Sequence, residues 1–471
     1  MDYVKRLKEE SNFSDDFIYK EIKLGKNTIT LINIETITST TSINDFILKR
    51  ISYLNNLKIK DLEYFLYNYL PSNSIKIVKD YKDLKDKLLN AFTILVINQE
   101  KVLAIETRIN LSRGVAEADY EKTIMGPKDA FIEHYNTNLG LIRRRIKDVN
   151  LHLKTYSLGK YTKTKVGLIY INGICKKELI EEIDNKLKNI NIDGIIDSGY
   201  LKRYLNNSKG LFPTLKSTER PDLACQSLLE GKVLLLSDNS PDILILPTFF
   251  IDFFHTSDDY YQKQLNITFI RIIRLIAFII AIFLPAIYVS LTTHNPDFMP
   301  INLLLSFQVQ RQAVPFPSFI EAILMIIAFE ILRESDIRIP SSMGTAISIL
   351  GGLVLGDAAV SAGIISPIMI IVVAISAISG MLITTIEAIN GIRWYRFISI
   401  ILASIFGFYG IFLATIFILI NLCDTKSQDK DFMYPFAPIN LKEQQDGFFK
   451  IPNKNKKLRN PILSKNKIRG I

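Results

Sequence analysis

Lysine stops at Lys263 and does not return until Lys426, and the long apolar runs all fall within that gap. They are Leu275 to Leu291, Ile320 to Leu332, Thr345 to Leu355, Ile364 to Ile386 and Phe397 to Leu422. Several reach or approach the ~20 residues a helix needs to cross a hydrocarbon core. Phe397 to Leu422 carries no charge at all, which argues against the core of a soluble domain. The mean hydropathy of +0.19 averages this block with a charged remainder and understates it. An all-α polytopic transmembrane domain is expected over 263–423, with four or five membrane segments.

Orientation follows from the basic residues. Lys263, Arg271 and Arg274 flank the first run and keep the preceding 262 residues cytosolic. The N-terminus has no apolar h-region of a secretory signal, consistent with that side. The loop Thr292 to Pro300 has no Lys or Arg and is expected outside, and Arg333 and Arg338 bring the chain back. From Asp424 onward there are eleven Lys or Arg against five Asp or Glu, so 424–471 reads as a basic cytosolic tail, largely disordered. Two cytosolic ends require an even number of crossings. Thr345 to Leu355 covers only about 17 Å at 1.5 Å per residue and is read as re-entrant. That places Arg393 and Arg396 outside, against the charge rule. The net charge of +10 thus points to anionic lipid rather than nucleic acid.

The first 262 residues follow a different rhythm. Short apolar runs at Ile75–Val78, Phe92–Ile97 and Val102–Glu106 alternate with helical pattern such as Tyr81–Leu89. A second series has Val166–Ile171, a helix over Lys176–Lys188, Gly194–Ile196, Val233–Leu236 and Ile243–Leu246. This interleaving predicts a soluble α/β head in two lobes, 1–147 with a connecting helix and 148–262. The connecting helix is expected over Pro127 to Lys147, with Phe131, Tyr135, Leu139, Ile142 and Ile146 on its apolar face. It ends in Arg143, Arg144 and Arg145, either a solvated helix end or a contact with a partner subunit or anionic lipid. No internal repeat is visible.

Catalytic patterns are missing: there is no GxxxxGK[ST], GxGxxG, HExxH or GxSxG. Cys175, Cys225 and Cys423 form no CxxC pair and are expected as buried free thiols. The four histidines, His134, His152, His255 and His294, lack ligand spacing. No enzyme, cofactor or metal site is expected. The membrane block carries the functional candidates. Gly344, Ser348, Gly352 and Gly356 recur every fourth residue and would let a second helix approach closely, within the subunit or in an oligomeric ring. On the neighbouring face, Ile347, Leu350, Val354 and Asp357 could line a constriction gated by dewetting. Glu321 and Glu330 sit inside an apolar run, where carboxylates are costly and demand partners. Nine residues set them on opposite helix faces, so they form no dyad. Arg333 is the expected partner of Glu330, and Arg311 that of Glu321.

Long motifs carry a resemblance. GPKDAFIE from Gly126 is followed by Thr137-Asn138-Leu139 and LIRRRI; LFPTLKSTERPD runs from Leu211, and DILILPTFFIDFFHTSDDYY from Asp242. The membrane block adds PAIYVSLTTHNPDFMP, VPFPSFIEA, ILRESDIRIPSSMG and LGDAAVSAGIISPIMIIVVAISAIS. Together they resemble the GerA family of spore germination proteins from about Glu106 to Leu422. Met125 stands where the family usually has arginine, and Ala118 where it has proline. The resemblance implies the A subunit of a nutrient germinant receptor of the spore inner membrane. It implies a homo-oligomer similar to a gated ion channel, working with a transporter-like B subunit and a lipoprotein C subunit. A membrane scaffold or transporter subunit without its own ion pore is the alternative.

Overall fold

The computed structural model describes residues 3–12, 14–24, 27–53, 66–68, 70, 74–99, 101–109, 118, 121, 123, 125–206, 210–338, 354, 356–383, 385–440, 447, 449–450 and 459–465. They form two compact units. One comprises residues 1–207, 215–248 and 452–471, and the other 208–214 and 249–451.

The first unit holds two five-stranded sheets. The first contains β1 (Phe17–Leu24), β2 (Asn27–Ile34), β3 (Ile75–Ile77), β4 (Phe92–Ile97) and β5 (Lys101–Glu106) in the order β1-β2-β4-β5-β3. The second contains β6 (Leu151–Leu158), β7 (Thr164–Ile171), β8 (Lys216–Thr218), β9 (Val233–Ser237) and β10 (Ile243–Leu246) in the order β6-β7-β9-β10-β8. Every pairing is antiparallel. The two orders are the same pattern, so the head repeats one topology that the sequence does not reveal. Helices α1 (Tyr81–Leu89), α2 (Tyr135–Arg145), α3 (Lys177–Lys188), α4 (Ser198–Leu205) and α5 (Pro221–Leu229) accompany the sheets.

Strand alternation explains why both faces of the first sheet are covered. Ile94 and Val96 point into a cluster with Tyr81, Leu84 and Leu88 of α1. Leu95 and Ile97 point the other way, to Ile43, Ile47 and Ile51. α1 starts where the Asp80 carboxylate accepts the Asp83 N–H at 2.7 Å. In α3, Leu179, Ile183 and Leu187 recur every four residues and are all buried. Gly194–Ile196, expected as a strand, is irregular: residues 192 and 193 accept backbone bonds from the turn at 160–161 instead. The connecting helix is shorter than expected, with 127–134 non-helical and His134 as the cap of α2. Parts of the tail are described. Lys426–Ser427 pairs with Lys430–Asp431, Phe432 is fully buried in the second unit, and Leu463 is buried in the first.

The second unit is helical: α6 (Gln264–Thr293), α7 (Ile301–Arg311), α8 (Ser318–Arg338), α9 (Pro367–Met381), α10 (Ile386–Phe406) and α11 (Phe408–Asp424). Of the described helices, α6 alone is both long and apolar enough to span a membrane, at 30 residues with a mean hydropathy of 2.6 over its best window. α9 and α11 are apolar but shorter. The run Phe397 to Leu422 is not one segment. Gly407 turns it at φ +60°, and the chain reverses into α11. A side chain at Gly407 would also lie 2.5 Å from Asn295 Oδ1, so the turn needs glycine.

Candidate functional site in the helical unit

Polar contacts fix the direction of each helix against α6. Thr292, at the end of α6, donates to Ser318 Oγ at the start of α8 (2.7 Å). Tyr288 lies 3.4 Å from Ser366 at the cap of α9, and Ser376 further along α9 reaches back to Ala281. Both helices are therefore antiparallel to α6. α10 runs parallel to it, since Arg396 meets Ala281 while His294 meets the Ser404 carbonyl (2.7 Å). α11 reverses again, with Tyr395 Oη donating to Asn421 Oδ1 at 2.6 Å. The end of α11 and the segment before α6 come together, for the Phe250 N–H donates to the Phe432 carbonyl at 2.9 Å. Arg393 and Arg396, expected at the far end, thus lie in the half of α10 nearer the start of α6.

Proline creates the centre of this unit. Pro285 lies inside α6 and has no N–H, so the carbonyl four residues earlier, Ala281, loses its helical partner. Two side chains take its place. Arg396 Nε donates to Ala281 O at 2.7 Å, and Ser376 Oγ donates to it at 2.9 Å. Arg396 is 5 % exposed and donates again to the Ser376 carbonyl at 3.5 Å. Gly380 makes room, as a Cβ there would come within 3.3 Å of Arg396 Nη2. Sequence reasoning missed this site. The available signal was Pro285 itself, which guarantees an orphaned carbonyl at Ala281 and a donor somewhere else in the chain.

Glu321 is fully buried in the first turn of α8. Its carboxylate accepts Arg311 Nε at 3.3 Å, the Ser366 N–H at 3.0 Å and Ser366 Oγ at 2.8 Å. The chain is helical at 356–361, unwinds over 362–366, and restarts at Pro367. The carboxylate therefore sits at the N-terminus of α9, where the helix dipole and a free N–H both favour negative charge. Glu330 pairs with Arg333 at 3.2 Å and with Arg393 of α10 at 2.9 Å.

Gly344, Ile347, Ser348, Leu350 and Gly352 lie outside the described residues. Val354 and Asp357 are exposed, while Gly356 faces Ile370 of α9. Cys175 and Cys225 are buried free thiols, whereas Cys423 is exposed on α11.

The three arginines of α2 part company. Arg143, expected in a solvated end or a subunit contact, is 1 % exposed: Nε reaches Asp16 Oδ2 at 2.7 Å and Nη2 reaches Oδ1 at 2.9 Å. Position 143 is four residues beyond Leu139 and so shares its inward face. Arg145 pairs with Asp129 at 2.6 Å, leaving Arg144 as the exposed one. The long head motifs bind each other: Arg220 donates to Asp222, Thr123 and the Pro127 carbonyl, and Thr218 donates to Glu121. Burial pushes the Glu121 carboxyl up, despite Lys216 nearby. Just before α6, Asp259 accepts Arg271 Nε at 2.9 Å and Arg274 Nη1 at 3.1 Å. Burial opposes its charge, but Arg274 and Arg271 hold the carboxyl below the usual range.

A mixed head joined to a helical unit with buried ionisable groups defines a recognisable class. The model of the Bacillus/Clostridium GerA spore germination protein matches residues 5–462, and the chain belongs to the GerA family. It is 35% identical over 456 residues to spore germination protein KA of Bacillus subtilis (strain 168), covering 95% of this chain and 84% of that one. It is 33% identical over 459 residues to spore germination protein GerQA of Bacillus cereus, covering 97% and 91%. It is also 33% identical over 440 residues to YfkQ of B. subtilis (strain 168), termed an uncharacterized membrane protein, covering 93% and 86%. The crystal structure of the N-terminal domain of the A subunit of the Bacillus megaterium spore germinant receptor GerK3 is 29% identical. It covers 53% of this chain and 94% of that one, with a TM-score of 0.40.

Proposed function

We propose that this chain is the A subunit of a nutrient germinant receptor in the spore inner membrane. In this reading, copies of its helical unit form an oligomeric, gated ion path that works with B and C subunits. Family membership supports the receptor role, and names such as GerQA place relatives in spore germination. The observation that carries the ion path is Glu321. A fully buried carboxylate beside unwound backbone, inside an apolar helix pair, is a costly group that Arg311 and Ser366 hold in place, and such groups mark ion or proton routes. The helix directions support a multi-pass arrangement with head and tail both cytosolic, because α6 begins where α11 ends.

The gate is read as Ile347, Leu350, Val354 and Asp357, packed through the ridge Gly344, Ser348, Gly352 and Gly356. Broken backbone at membrane depth is stable only where protein or water covers it, and a ring of subunits supplies both. The test is ion flux in proteoliposomes holding the purified chain, alone and with its partner subunits. Flux that falls with Glu321→Gln supports the reading. A chain that conducts in neither condition is the scaffold of the alternative reading.

A further inference from the structure

One cleft in the helical unit has more positive charge than its protein partners neutralise. Arg333 of α8 and Arg393 and Arg396 of α10 meet there, with Glu330 as the carboxylate among them. Glu330 is shared by Arg333 and Arg393, at 3.2 and 2.9 Å. Arg396 has backbone carbonyls as its acceptors, and Nε of Arg393 is buried without a hydrogen-bond partner. Among the described lining residues, three guanidinium groups against one carboxylate leave a surplus of two positive charges in apolar surroundings, which include Phe329, Ile392 and Met381. Arg396 is buried while Arg333 and Arg393 are half-buried, so the surplus is partly shielded from water and open to an anion, and forked guanidinium donors fit a tetrahedral phosphate.

The surroundings indicate where that phosphate comes from. Arg396 is level with Ala281, the seventh residue of the run Leu275 to Leu291, and Arg393 lies about one helical turn nearer the start of α6, about 5 Å from the start of that run at 1.5 Å per residue. The chain's single tryptophan, Trp394, is the next residue and is 58 % exposed. Exposed tryptophan rings settle at the level of lipid headgroups. Ile378, Met381 and Leu382, exposed on and beyond the end of α9, supply an apolar rim suited to acyl chains. Resting on the membrane reading above, we infer that this cleft is a binding site for the phosphate of an anionic phospholipid. Arg333, Arg393 and Arg396 hold the phosphate, and the acyl chains lie along α9 beside Trp394.

Trp394 is a built-in reporter for the test. The full chain in uncharged detergent is titrated with brominated phosphatidylglycerol, brominated phosphatidylcholine, or inorganic phosphate as competitor. Brominated phosphatidylglycerol should quench Trp394 saturably, and phosphatidylcholine only weakly. Arg393→Gln should weaken the anionic lipid on the order of tenfold, with Arg393→Lys between it and the parent. Met381→Glu, on the exposed rim, should weaken it too without touching a buried group, which keeps the test valid if an arginine variant fails to fold. Equal quenching by both lipids, or unchanged curves in Arg393→Gln and Met381→Glu, overturns the site. Displacement of the lipid by millimolar inorganic phosphate overturns the lipid assignment in favour of a free ion. The ion-flux test of Glu321 is separate, so a lipid site can stand while the channel reading fails, and the reverse.

Discussion

Arg143 in the head and Arg396 in the helical unit are both buried, yet they are satisfied by opposite means. Arg143 meets a carboxylate, Asp16, in a two-pronged pair reinforced by Ser14 at 2.7 Å. Arg396 meets no carboxylate directly and instead caps the carbonyl that Pro285 exposes. The head neutralises a buried charge, so its arginine acts as a fastener between two segments 127 residues apart in sequence. The helical unit keeps its charge and lends its hydrogen bonds, so its arginine remains able to attract an anion. Where a charge must stay active, a backbone dipole is the better partner, because it orients the side chain without cancelling it.

The largest effect should come from breaking the head pair. Arg143→Ala leaves Asp16 charged and buried, a situation that costs about 3–5 kcal/mol. Thermal unfolding of a fragment covering residues 1–255 should show a cooperative transition that falls by roughly 10 °C in the variant. Replacing Asp16 and Arg143 together with apolar residues should recover much of the loss. If the single and double variants are equally unstable, the pair is not a fastener and the contrast fails.

The equivalent change in the helical unit should be milder. Arg396→Leu removes one of two donors to Ala281 O, at about 1–3 kcal/mol. Pro285→Ala restores the missing helical N–H, so it should rescue part of that loss. Thermal stability of the detergent-solubilised chain, measured over the four combinations, isolates the coupling, expected at about 0.5–3 kcal/mol. Additive effects would separate Arg396 from the proline.

A third test uses proton linkage near Arg143. His152 is buried and stacked on Tyr170 at 5.5 Å, and its pKa falls to about 4, first through burial and then through the Arg143 charge. Asp16 and Asp148 pull the other way. The unfolded imidazole binds protons more readily than the folded one. Stability is therefore full above about pH 6.5 and is lost as pH falls from there towards 4. Between pH 7 and 5 the loss should be about 2 kcal/mol, at 1.36 kcal/mol per unit. His152→Gln should flatten that slope in a denaturant titration of the head, and an unchanged slope would assign it to other groups.

How far the sequence led can be judged from the same residues. Tyr81–Leu89 was legible to the residue because its apolar side chains recur at helical spacing, and Phe92–Ile97 because it is a short, near-continuous apolar run of strand length. The hairpin at Gly407 was hidden, since Phe406 to Gly410 offers no polar turn residue to interrupt an apolar run. β1, β2 and β6 carry lysine and threonine on their outer faces, which diluted their strand signal. Glu321 with Arg311, and Glu330 with Arg333, could be paired by distance along the chain. Arg396 with Ala281 could not, because 115 residues separate donor and acceptor.

The smallest change tests the gate. Val354 is 57 % exposed, an apolar side chain that the proposed gate sets against a neighbouring subunit. Val354→Ala removes two methyl groups per subunit, about 1 kcal/mol or more if they are buried in a closed ring. That is enough to shift a closed–open equilibrium several-fold, so spores should germinate slowly without nutrient. Gly352→Leu acts on the packing ridge instead and should abolish the response. Optical density of spore suspensions, with and without nutrient, reads both. Should both variants assemble and respond as the parent does, the gate lies elsewhere, and the buried charges around Glu321 become the part of the helical unit that separates it from the head.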